Sequence, residues 1–452
     1  MKIWIVAAVV LLLAIFGTAV WMRRSARALV HARRLRIDRF KLRRKHAEIQ
    51  LDVFSDRNVV AEIRNYAKTH KVSVDTATHQ AHTYLREIVP KFNLLAYYRF
   101  GAPVARAILY FLYRVAVDRS VLEAFNRTAT KDTVVVYVIN HRSNVDYVLV
   151  AHMLFRFVSL SYAVGEWARV WPLNHLFKWF GGYFVRRRYR EPLYHAVLRA
   201  FVQTITRNGV TQGIFLEGGL SRDGAFLPPK IGMLDYIITS KQSPEFVAPL
   251  VIIPTSINYD RTLEDRALTE ELLGREDRSG RLAKLGTTFE FLFKNVFRSI
   301  RGRFKRYGYA AVAFGEPIVI DEVVRREPSL LAATFDERKP AMKRLADEIM
   351  SRISEALPAT PIPMVAKVLA EADRPMRDGE IEAGIAEVLS RHQASATLLR
   401  EKTAGEIWER ARKLLALRHL VEETPAGWQW NPSENLLRDY YANSLLPYRR
   451  DE

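Results

Sequence analysis

The chain has 452 residues, 49% of them hydrophobic, and carries a formal charge of +20 from 69 Lys and Arg against 49 Asp and Glu. That length holds one large domain with a smaller one, and the apolar share is enough for a sizeable core. Cysteine is absent, which excludes disulfides, thiolate metal sites and a cysteine nucleophile while leaving the redox compartment open.

At the amino end, Ile3 to Met22 is an uncharged apolar run of about 20 residues, long enough to cross the hydrocarbon layer as a helix. Only Lys2 precedes it, whereas Arg23, Arg24, Arg27, Arg33, Arg34, Arg36 and Arg39 follow. The positive-inside rule then keeps the body of the protein in the cytoplasm, and the same bias argues against the cleaved signal peptide that Ala26-Arg27-Ala28 would permit. The expected location is the cytoplasmic (inner) membrane, spanned once. Cations between Arg23 and Lys45 suit an anionic leaflet, each contributing roughly 1 kcal/mol. No zinc-finger spacing or RNA-binding motif favours nucleic acid instead. Residues 23 to about 120 read as helical, and the apolar stretch Asn93 to Val117, broken near Gly101 and Pro103, reads as a membrane-docking or core-flanking hairpin.

Thr133 to Ile139 is a run of β-branched and aromatic residues, the pattern of a strand covered on both faces. It delivers His141-Arg142-Ser143-Asn144-Val145-Asp146, in which Ser143 or Asn144 can cap a following helix. On a continuous helix, five residues set two side chains about 140° apart, so His141 and Asp146 meet only if the histidine precedes the helix and the turn folds it back. A carboxylate there fixes the ring tautomer and stabilises the imidazolium formed when the other nitrogen takes a proton. The bland alternative is a capping turn with a satisfied histidine. His70 and Asp75 repeat the spacing, but in a polar helical stretch without an apolar strand, and read as a solvated surface pair.

Gly181-Gly182 opens a short strand that ends in Arg186, Arg187 and Arg188, planar donors suited to a phosphate dianion or, more plainly, a solvated basic run. Gly213 to Arg222 is an apolar strand entering Gly218-Gly219, where backbone can approach a ligand. Glu217 there can accept from a polyol hydroxyl and Arg222 can add a cation, unless the pair is only a surface ion pair. Pro228-Pro229-Lys230 is a rigid basic turn, and Leu250 to Tyr259 is a buried strand broken by Pro254. Strand-like runs at 133–139, 159–165, 182–187, 213–218, 246–257 and 309–320 alternate with helical stretches, predicting an α/β fold with a mostly parallel central sheet flanked by helices. Phe289, Leu292, Phe293, Val296, Phe297, Ile300 and Phe304 recur at helical spacing among Lys294, Arg298, Arg301 and Arg303, as in an interfacial helix or one packed on the core. Phe314 to Pro317 is a turn. The chain from about 335 is mainly helical, with Pro358, Pro361 and Pro363 marking a linker and Trp428-Gln429-Trp430 a small hairpin.

The ordered blocks His141 to Asp146, Gly181 to Arg187, Phe215 to Arg222 and Ile252 to Pro254 together resemble the glycerol-3-phosphate 1-O-acyltransferase family and its dihydroxyacetone-phosphate acyltransferase relatives. Arg86 to Gly101 looks like the segment preceding the catalytic domain in that family, and Tyr440 to Ser444 is similar to a tail element. The expected division is a membrane anchor at 1–22, a basic helical region at 23–120, a glycerolipid acyltransferase-like catalytic domain at 121–330, the part that the resemblance covers, and a mainly helical C-terminal domain at 331–452. The resemblance implies His141 as general base and Asp146 as its orienting carboxylate. Acceptor contacts would come from Arg186, Glu217, Ser221 and Arg222, with Arg142, Ser143, Arg187, Gly218 and Lys230 beside them. Many members have arginine where this chain has Leu220, so one cation of the phosphate site is either missing or supplied by Arg187 or Arg188, which bears on affinity and acceptor choice.

The implied reaction moves a fatty acyl group from acyl-CoA or acyl carrier protein to the sn-1 hydroxyl of glycerol 3-phosphate, giving lysophosphatidic acid, with no metal or other cofactor. A thioester is already activated, so direct attack needs no enzyme nucleophile, and neither Ser143 nor Ser221 lies in a Gly-x-Ser-x-Gly elbow. Backbone amides near Gly218 or at the Ser143 turn are the candidate oxyanion donors. Dihydroxyacetone-phosphate or lysophospholipid acyl transfer, a phosphatase or phosphodiesterase, and a non-catalytic lipid-binding scaffold are the rival readings.

Overall fold

Apolar runs without polar alternation can only be strands if helices cover both faces of the sheet they form. The computed structural model bears this out across its described residues, 46–89, 102–154, 161–164, 182–186, 189–273, 306–392, 398–401 and 403–450. The apolar run Ile3 to Met22, the basic segment to Lys45, Arg187, Arg188 and the aromatic-basic stretch 289–304 lie outside them.

In chain order the elements begin with α1 (His46–Phe54), α2 (Arg57–His70), α3 (Val74–Ile88), α4 (Ala102–Leu112), β1 (Arg114–Val117), α5 (Ser120–Thr128), β2 (Val134–Ile139) and α6 (Asp146–Leu154). There follow β3 (Ser161–Val164), β4 (Gly182–Phe184), α7 (Pro192–Arg207), β5 (Gln212–Phe215), α8 (Gly232–Ile238), β6 (Leu250–Tyr259) and α9 (Asp265–Leu272). Next come β7 (Tyr309–Phe314), β8 (Ile318–Val319), α10 (Ile320–Arg326), α11 (Phe335–Glu355), α12 (Pro361–Ala372) and α13 (Asp378–Arg391). The chain closes with α14 (Ala404–Ala416), the antiparallel hairpin β9 (Val421–Thr424) and β10 (Gly427–Trp430), and α15 (Asn435–Asn443).

The sheet runs β1-β7-β6-β2-β5-β3-β4, with β8 also on β6. From β6 to β4 every pairing is parallel; β7 and β8 join β6 antiparallel, and β1 joins β7 parallel. Alternation across the pleat divides the core. Val134, Val136 and Val138 of β2 face the layer of α2, α3, α7 and α11, and Tyr137 and Ile139 face that of α4 and α6. A separate cluster joins α12 to α15 around Trp408, Trp430 and Tyr441.

The strand runs, the turn after Phe314 and the helical C-terminal part stand where the sequence puts them, while three details differ. Arg114–Val117 is a strand inside the stretch read as helical, because it pairs with β7 in a register no local pattern encodes. Pro254 does not end its strand: β6 continues through it, and the proline sits where β6 changes partner from β8 to β7, so no ladder donor is missed, while its carbonyl accepts from Gly315 N at 2.9 Å. Pro361 and Pro363 are not linker but the first turn of α12, where an absent N–H costs nothing. Among the described residues no helix is long and apolar enough to cross a membrane.

Candidate active site

β2 ends beside Asn140, whose side chain prolongs the sheet by exchanging hydrogen bonds with Ile257, accepting from its N–H at 2.7 Å and donating to its carbonyl at 3.0 Å. The chain then turns sharply, and α6 begins at Asp146. His141 Nδ1 lies 2.9 Å from Asp146 Oδ2, an oxygen that also accepts the amides of Arg142 at 2.7 Å and Ser143 at 3.0 Å. An oxygen already collecting amide protons can only accept from the ring, so Nδ1 carries a proton and Nε2 is the nitrogen turned away from the carboxylate. The other oxygen, Oδ1, accepts from the Tyr259 hydroxyl at 2.6 Å. Burial and the Asp146 charge hold that phenol well above its ordinary range, so it remains a donor. The ring stacks on Phe215 at 4.2 Å and meets the edge of Tyr147 at 5.4 Å.

Two glutamates brace this turn. Glu217, after β5, accepts from His141 N through Oε1 and from Leu227 N through Oε2, each at 2.8 Å. Burial pushes its carboxyl up, against the pull of the Arg142 charge and of the two amides. Glu264, between β6 and α9, accepts from Ser143 Oγ at 2.7 Å and Asn144 N at 3.3 Å. Ser143 Oγ in turn caps Val145 N at 3.2 Å. Asn140 N donates to Thr255 O and Asp146 N to Ser143 O, so every amide from Asn140 to Asp146 is engaged. The turn amides are thus engaged within the protein, and Gly218 N donates to Phe215 O at 3.1 Å.

Arg142 and Ser143 are buried, at 2% and 0% exposure. The Arg142 guanidinium donates to the carbonyls of Gly224 and Ser444 and stacks 4.7 Å over Phe226, which joins the turn to the C-terminal segment. Gly224 has φ +87°, and a Cβ there would collide with the Tyr440 carbonyl. Ser221 Oγ donates to Asp223 at 2.9 Å, and the exposed Arg222 donates to Glu271 at 2.8 Å. Gly218, at φ +67°, packs against the stem of the exposed Lys230. Arg186 stands at the same sheet edge beyond β4, three strands from β2. It makes a bidentate pair with Glu87 of α3 at 2.7 to 3.1 Å and lies 4.7 Å over Tyr189. Leu220 packs against the C-terminal helices. Arg187 lies outside the described residues.

His70 stacks on Tyr66 and is not joined to Asp75. Sequence reasoning missed Tyr259 and Glu264. The first ends a strand read as core throughout, and the second sits in the charged run Asp260-Arg-Thr-Leu-Glu-Asp-Arg266, which carries no pattern distinguishing it from surface. Among the described residues no group of three or more His, Asp or Glu is placed to hold a metal ion.

A histidine and aspartate joined in the turn after a central parallel strand define a site suited to general-base catalysis, and residues 122–258 match the family described as Acyltransferase. Residues 293–448 match the glycerol-3-phosphate acyltransferase C-terminal region. The glycerol-3-phosphate acyltransferase of Aeromonas hydrophila subsp. hydrophila is 28% identical over 330 residues, 71% of this chain and 39% of that one. Those of Alteromonas mediterranea and Pseudomonas fluorescens strain Pf-5 are 27% and 29% identical over 419 and 353 residues, 88% and 73% of this chain and 49% and 40% of theirs. The chain is thus a relative of the glycerol-3-phosphate acyltransferases, and it spans less than half the length of these three. The crystal structure of the 1-acyl-sn-glycerophosphate acyltransferase PlsC from Thermotoga maritima aligns at 17% identity over 65% of this chain and 95% of that one, with a TM-score of 0.31, too low to bear on this site.

Proposed function

We propose that the chain is a membrane-anchored acyltransferase that transfers a fatty acyl group from an acyl-CoA or acyl carrier protein thioester to the sn-1 hydroxyl of glycerol 3-phosphate, giving lysophosphatidic acid. The observation carrying this reading is the 2.9 Å contact of His141 with Asp146, which leaves Nε2 basic at the carboxyl edge of the sheet. Nε2 takes the hydroxyl proton as oxygen attacks the thioester carbon. The C–O bond forms, the C–S bond breaks, and the imidazolium returns its proton to the departing thiolate. Base catalysis supplies about 10² to 10⁴-fold, and holding the acceptor's phosphate accounts for much of the rest.

Arg222, after β5 and next to β2, is the nearer cation by strand order, with Arg186, Arg187, Ser221 and Lys230 completing the acceptor site. Arg142, Ser143 and Glu217, expected to touch the acceptor, serve here by shaping the turn. The membrane anchor at Ile3 to Met22, with the body on the cytoplasmic side where both substrates reside, remains part of the proposal. It is supported by the uncharged run itself and by the arginines that follow it.

The test is His141→Ala in membranes given labelled glycerol 3-phosphate and each acyl donor. Turnover is expected to fall by at least about 10²-fold at equal expression. Near-normal product would overturn the reading and favour a lipid-binding scaffold, whereas phosphate release without any acyl donor would favour a phosphatase.

A further inference from the structure

The turn from His141 to Asp146 hangs from β2, and β2 lies between β5 and β6. Each neighbour sends a glutamate to it: the buried Glu217 holds its first amide and the half-buried Glu264 its middle. We propose that Glu264 is a positioning residue for acyl transfer, holding Ser143 and Asn144 so that Asp146 stays closed on the His141 ring.

Asp146 Oδ2 binds Nδ1 only while the Arg142 and Ser143 amides converge on the same oxygen, and that convergence requires the backbone at Ser143 and Asn144 to curl inward. Glu264 secures the curl from outside, taking the Ser143 hydroxyl at 2.7 Å and the Asn144 amide at 3.3 Å. Each carboxylate oxygen accepts one of these bonds, whereas a Gln in its place offers one acceptor and one donor, so the Ser143 hydroxyl would have to reverse its role to stay bound. Tyr259, five residues earlier on the same strand exit, fastens the far oxygen of Asp146, so one loop steadies both the turn and the carboxylate. The Glu264 carboxyl is pushed up by burial and by the Asp146 charge, and the two bonds it accepts oppose that push.

This inference rests on His141 being the base, and the experiment separates the two. Full-length His141→Ala, Glu264→Gln, Ser143→Ala and the Glu264→Gln/Ser143→Ala double variant are assayed with labelled glycerol 3-phosphate and acyl thioester. Glu264→Gln is expected to lower kcat about tenfold while both KM values stay within about twofold, and adding Ser143→Ala is expected to cost little more, because both act through one contact. Full losses that multiply in the double variant, or a raised KM with unchanged kcat, overturn the positioning role while leaving His141 as base. Activity in His141→Ala overturns both. Should Glu264→Gln fail to fold, Ser143→Ala decides: lowered kcat at constant KM supports the proposal, and unchanged kcat rejects it.

Discussion

The Tyr259 hydroxyl is the one contact on Asp146 Oδ1 that a conservative change removes cleanly. Tyr259→Phe keeps the ring packed against Tyr113, at 5.4 Å, and withdraws only the donor. The buried oxygen then lacks a partner, which costs about 1–3 kcal/mol of stability, and kcat for acyl transfer is expected to fall while KM holds. Equal kcat in phenylalanine and tyrosine forms would show that Nδ1 and the two amides suffice. At this scale the sequence was legible where one short segment contains both partners, as with His141 and Asp146. It was not legible where a partner comes from a distant segment. An arginine cluster looks like a phosphate site when its neighbours are unseen, yet Arg186 meets Glu87, Arg222 meets Glu271, and Arg142 meets two carbonyls. Nothing in a linear pattern announces those engagements, because they depend on α3, α9 and the C-terminal segment arriving at the same edge.

Among the elements, α3 carries the carboxylate that holds Arg186. Its stripe of Ala77, Ala81, Tyr84, Leu85 and Ile88 is buried, and Glu87 one residue before its end holds Arg186. If an acceptor phosphate takes the same guanidinium, Glu87 competes with it. Glu87→Gln is then expected to lower KM for glycerol 3-phosphate severalfold with little change in kcat, read from initial rates at varied acceptor. A raised KM would mean that Glu87 orients Arg186 for the phosphate. Strand identity was readable because parallel strands covered on both faces give continuous apolar runs. β1 escaped because its four residues follow an apolar helix without a turn signal, and its character comes only from pairing with β7. Pro254 was misread for a related reason: which edge of a strand lacks a ladder donor depends on its neighbours, not on its sequence.

In the whole molecule, Asp260 fastens sheet to C-terminal helices, accepting from Tyr309 N at 2.7 Å and Ile362 N at 2.9 Å. Burial raises its carboxyl to about 6, from an ordinary 3.8. The folded state therefore holds this proton more tightly than the unfolded chain. The resulting stabilisation is full below the ordinary value and is lost as pH rises through about 6. Between pH 7 and pH 5 the parent should gain about 1 kcal/mol that Asp260→Asn lacks. Denaturant midpoints of both proteins at the two pH values check this, and a parent–variant difference that does not widen on acidification would contradict it.

The pairing of β1 with β7 also bears on synthesis. Arg114 to Val117 must wait for Tyr309 to Phe314 before its edge of the sheet exists. On the ribosome the central strands can associate early, but β1 stays unmatched until nearly two hundred further residues have emerged, a long-range closure of the kind that slows folding and leaves an open strand to be shielded meanwhile.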